Sequence, residues 1–81
     1  MSRYLRDAQH HSDKIDHYHK HAGSGGYSQA HYHETKLEEL MVRASKSKTG
    51  KSCVSFIGNI LESVRPKMKE MKDREIDADE S

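Results

Sequence analysis

The sequence predicts an all-α protein: a small helical hairpin, then a third amphipathic helix that continues past a proline kink. Three observations predict it. Apolar side chains recur at helical spacing in three separate stretches, and glycine-rich or polar segments divide those stretches. No alternating strand pattern or hairpin-turn signal occurs anywhere in the 81 residues.

The first helix is expected from Arg3 to Ala22. Tyr4, Ala8, His11, Ile15, Tyr18 and Ala22 follow one another at steps of three and four, the period of one helical face. Gly23, Ser24, Gly25 and Gly26 then stop it, because glycine costs about 1 kcal/mol per helical position relative to alanine. The second helix is expected from Tyr27 to Ala44, with Tyr27, Ala30, Glu34, Leu37, Met41 and Ala44 as its stripe. So short a break favours an antiparallel hairpin, which sets Tyr18 opposite His31 and Ala8 opposite Met41.

The polar, basic stretch from Ser45 to Ser52 is the second break. It ends in Gly50-Lys51-Ser52, like a phosphate-binding loop, but helix rather than strand precedes it. Beyond it comes most of the apolar mass: Val54, Ile57, Leu61, Val64, Met68 and Met71, flanked by Phe56 and Ile60. The register continues across Pro66, so helix is expected on both sides of a kink. Residues 1–76 then make a single small helical domain, and 77–81 an acidic flexible tail.

Composition limits the function. Hydrophobic residues are 32% and charged residues 33% of the chain, a core too thin for two domains or for an enzyme with its own deep cleft. No stretch is apolar enough for a membrane span, and the start is charged rather than signal-like. With the single Cys53 expected to be a small buried apolar residue, a cytoplasmic location follows. The net charge of +1 hides an uneven spread: residues 1–42 hold 5 basic and 6 acidic groups, residues 43–74 hold 9 and 3, and residues 75–81 hold 4 acidic groups and no basic one. Such blocks suit recognition of an oppositely charged surface.

The expected function is therefore that of a non-enzymatic interaction protein, an adaptor, inhibitor or regulator. Its contact residues would be Arg43, Lys46, Lys48, Lys51, Phe56, Lys67, Met68, Met71 and Lys72, on or near the C-terminal amphipathic basic helix. A protein is the expected partner. The alternative is a nucleic-acid-binding regulator using the basic 43–74 face against phosphates. The large aliphatics are few before residue 37 and dense after Val54, so self-association, most simply a homodimer, is expected as well.

A third reading is a histidine-based metal-binding module. All seven histidines fall between His10 and His33. His17 and His21 stand four residues apart on one helical face, and the hairpin returns His31 toward them, with Asp13 one turn away. No cysteine or HExxH motif accompanies them, so no metal and no other cofactor is expected; if one binds, its ligands are His17, His21, His31 and Asp13. The same crowding predicts that protonating His17, His19 and His21 loosens the hairpin.

Overall fold

The computed structural model describes the backbone of residues 3–21 and 26–80, and the side chains of those residues as far as Ile76. Within them the chain is all-α, with α1 at Arg3–His21, α2 at Tyr27–Lys46 and α3 at Val54–Glu80. A short 3-10 turn, Lys51–Cys53, leads into α3. The glycine segment expected to end α1 lies outside the described residues, except for Gly26, whose carbonyl accepts the Ala30 N–H at 3.0 Å. α2 and α3 run antiparallel, α1 and α3 parallel, and the bundle measures 50 × 18 × 16 Å. No helix of the described residues is long and apolar enough to cross a membrane.

The core follows the stripes. Ala8 and Ile15 come from α1, Ala30, Leu37, Leu40 and Ala44 from α2, and Ile57, Leu61, Val64, Met68 and Met71 from α3, with Cys53 at the base. Alanines at the α1–α2 contacts let two thin helices approach closely, while α3 supplies the bulk. Burying each of its large side chains is worth about 1.5–3 kcal/mol. No polar side-chain atom among the described residues is buried without a partner.

α3 runs unbroken through Pro66, although proline there removes the N–H that would bond to the Glu62 carbonyl. It also takes in the first four residues of the acidic stretch, to Glu80. Two ionic ties hold α3 to α1. Lys67 Nζ of α3 reaches Asp16 of α1 at 3.0 Å, while Lys20 Nζ, one turn along α1 itself, holds the other oxygen of that carboxylate at 3.0 Å. These two donors hold the Asp16 carboxyl down at about 2. Farther along, His19 Nε2 donates to Glu70 at 2.9 Å, and Arg74 bonds Glu70 at 3.1 Å and the His19 carbonyl at 2.9 Å. The His19 hydrogen bond, with that from Arg74, lowers the Glu70 carboxyl.

Candidate functional site

The turn between α2 and α3 is tied down rather than loose. Ser47 organises it: its N–H donates to the Ala44 carbonyl at 3.2 Å, its carbonyl accepts the Lys51 N–H at 3.2 Å, and its hydroxyl accepts the Gly50 N–H at 3.3 Å. Gly50 is buried against α2 and the N-terminus of α1. A β-carbon added there would stand 2.9 Å from Ala44 Cα and 2.9 Å from the Tyr4 ring. Only a residue without a side chain permits that approach.

The clamp of Tyr4 on Gly50 brings the start of α1 to the loop, and the charges come with it. Arg3 and Arg6 join Arg43, Lys46, Lys48 and Lys51 at one end of the bundle. None of these six cations forms an ion pair among the described residues. Arg3 and Arg43 face each other across a shallow cavity of about 230 Å³, which Tyr4, Asp7 and Leu40 complete. α1 has no acidic residue in its first turn, although the positive end of a helix dipole favours acids there. Cations at that position add to the local positive potential instead of cancelling it. Around the corner, between α1 and α3, Phe56 is 41% exposed beside Leu5, Arg6 and Gln9 in an apolar groove of about 520 Å³.

Of the contact residues expected from sequence, the structure thus gathers Arg43, Lys46, Lys48 and Lys51, with Phe56 close by. The remaining four lie elsewhere. Met68 and Met71 are 5% and 1% exposed; they fill the core between the three helices and are not a contact surface. Lys67 is turned to Asp16 on α1. Lys72 is exposed, but on the flank of α3 toward α2. Arg3 and Arg6 were not expected at the site, since nothing local in the sequence places them beside the loop.

The histidines meet differently from the expected set. His17 and His21 lie 5.0 Å apart between ring centroids with their planes tilted by 44°, but His31 leans on Tyr27 and stands 3.4 Å from Glu34, while Asp13 accepts from Gln9. Among the described residues no group of three or more His, Cys, Asp or Glu is placed to hold a metal ion. The pair that closes across the hairpin is His11 and His33, with their Nδ1 atoms 2.9 Å apart. Tyr18 stacks on His33 rather than on His31. Side chains lean toward the N-terminus of their own helix, so a residue on α2 reaches a level nearer the hairpin turn than its own Cα. Burial lowers the pKa of both His11 and His33, and His10 and the neighbouring lysines lower it further.

No family model matches the chain, and no curated protein or solved structure matches it significantly. Its functional reading therefore stands on its own geometry.

Proposed function

We propose that this chain is a small non-enzymatic interaction protein that docks its basic end onto an acidic surface of a protein partner and works as a homo-oligomer in the cytoplasm. The observation that carries the reading is the gathering of Arg3, Arg6, Arg43, Lys46, Lys48 and Lys51 at one end of the bundle, unpaired among the described residues. Desolvating a cation is repaid only where an anion meets it, so a cluster without internal partners is complementary to external negative charge. The apolar groove at Phe56 and Leu5 adds a nearby hydrophobic contact.

The same cluster supports a second reading, contact with nucleic-acid phosphates. It is the weaker one, because the most exposed aromatic side chain, Tyr32, stands away from the cations on α2, and the two rings near them are already engaged, Tyr4 against Gly50 and Phe56 in the groove with Leu5. The test titrates the full chain against polyglutamate and against a generic duplex over a salt series. Binding to polyglutamate that is lost with Arg43→Glu, Lys48→Glu and Lys51→Glu together, at unchanged helix content, is the expected result. Preferential binding to the duplex, with log affinity falling linearly in log salt, transfers the function to the alternative. Binding of either probe that the triple reversal leaves untouched removes the basic end from the account.

A further inference from the structure

The chain has one phenylalanine and no tryptophan, and three of its fully buried positions are the alanines Ala8, Ala30 and Ala44. Phe56, which could fill far more of a thin core than an alanine does, stands 41% exposed instead. It lies in the groove between α1 and α3 with Leu5 beside it, so the apolar surface there is continuous and not a single stray ring. The other exposed large hydrophobics have different company. Tyr32 carries Lys36 Nζ over its ring at 5.4 Å. The cavity at Val42 sets Glu38 and Glu39 beside Arg43. Ile76 lies toward the far end of α3. At Phe56 the neighbouring charge is Arg6, a cation of the basic end.

The groove has a charge order along its length. Lys67 meets Asp16 and His19 meets Glu70, both across 51 residues, so the parallel helices α1 and α3 keep a constant register. By that register Phe56 stands level with Leu5, in the first turn of each helix. From there the groove runs past Gln9 to its one carboxylate, Asp13, which accepts the Gln9 side-chain N–H at 2.9 Å. Asp13 is seven residues beyond Arg6, about 10 Å at 1.5 Å per residue. The groove thus offers a cation where it opens onto the basic end, apolar surface at Phe56 and Leu5, and an anion at its far end. A partner's carboxylates are drawn to the first and repelled by the last. With about 520 Å³ between them, there is room for a leucine or phenylalanine side chain.

We infer that the α1–α3 groove at Leu5 and Phe56 takes one bulky apolar side chain from an acidic segment of the protein partner. The segment's carboxylates lie on the basic end, and the part that passes beyond the anchor, over Asp13, carries none. This rests on the reading of the basic end as a dock for acidic protein, and it names what the docked segment contains. Cations alone hold an acidic chain in any register; an apolar anchor in a groove selects one segment and one position.

Fluorescence anisotropy of labelled peptides titrated with the full chain tests it. The probes are hexaglutamate, hexaglutamate followed by Leu-Phe, and hexaglutamate preceded by Phe-Leu, because the charges set which end of the groove the glutamates take and not the direction of the peptide chain. One of the two extended peptides should bind about tenfold or more tighter than hexaglutamate at the same salt. Phe56→Ser, at an exposed position, should abolish that gain while hexaglutamate affinity and the helix content by circular dichroism stay unchanged. A peptide with three glutamates on each side of Leu-Phe should bind the wild type more weakly than the better extended peptide, and Asp13→Asn, which keeps the acceptor for Gln9, should narrow that difference. Extended peptides that bind no tighter than hexaglutamate overturn the anchor site and leave the basic-end reading standing. A gain that survives Phe56→Ser overturns the placement in this groove. If none of the peptides binds, the basic-end reading falls together with the anchor. A chain that dimerises alone in sedimentation equilibrium, and whose dimer Phe56→Ser splits, gives the groove to a second copy and also overturns the inference.

Discussion

Replacing Gly50 with alanine puts a methyl group where two elements already touch. Its carbon would lie 2.9 Å from Ala44 Cα, 2.9 Å from Tyr4 Cε2 and 3.0 Å from the Ala44 carbonyl oxygen, against an optimal carbon separation of about 3.5–4.0 Å. The Tyr4 ring can swing away, but the main chain at Ala44 is fixed by the last turn of α2. Forcing an extra carbon into such a contact costs about 1–3 kcal/mol. Gly50 has φ −90° and ψ −16°, which alanine adopts freely, so a smaller unfolded-state gain of about 0.4–1 kcal/mol opposes the loss. The net is a destabilisation of about 1–2 kcal/mol. For a domain of this size that lowers Tm by roughly 4–16 °C. Thermal melts followed by far-UV circular dichroism measure it. In a Tyr4→Ala background the penalty should shrink, because one of the obstructing groups is gone. A Gly50→Ala protein that melts at or above the wild type would refute the packing of α1 against the loop, and with it the gathering of Arg3 and Arg6 at the basic end.

Leu61 is 2% exposed at the centre of α3, and Leu61→Ala should cost about 2–5 kcal/mol in a denaturant melt; a loss below about 0.5 kcal/mol would remove it from the core. Because His11 and His33 have pKa values lowered below 6.5, the unfolded chain takes up those protons first. Stability is therefore full above pH 6.5 and falls as the pH drops through the folded values. Melts between pH 7 and pH 5 should show this decline, and His11→Gln with His33→Gln should flatten it; an unflattened decline would assign it to other histidines.

The helices were legible because their signal is local. Steps of three and four mark α1, α2 and α3, and every large aliphatic in the α3 stripe from Ile57 to Val64 is buried as its spacing requires. The site was only half legible. Arg43 to Lys51 forms one run along the chain, and a run is visible to the eye. Arg3 and Arg6 reach that run only because the hairpin folds α1 back and Tyr4 packs on Gly50, a contact between residues far apart in sequence. Met68 and Met71 show the opposite failure. A methionine on an amphipathic helix has the same spacing whether it faces a core or a partner, and only the position of α1 decides. The histidines were misplaced by about half a turn, since sequence spacing gives the Cα level and not the lean of the side chain.

The bundle is 50 Å long and only 18 × 16 Å across, with cations at the end where α3 begins and an acidic stretch, from Glu75 to Glu80, where it finishes. Such a rod is an electric dipole along its own axis. Near a negatively charged surface it feels a torque before it touches, and it arrives tip first. The tip is small beside the roughly 800 Å² per partner that a standard stable complex covers. A tip-first contact is therefore quick to form and quick to break.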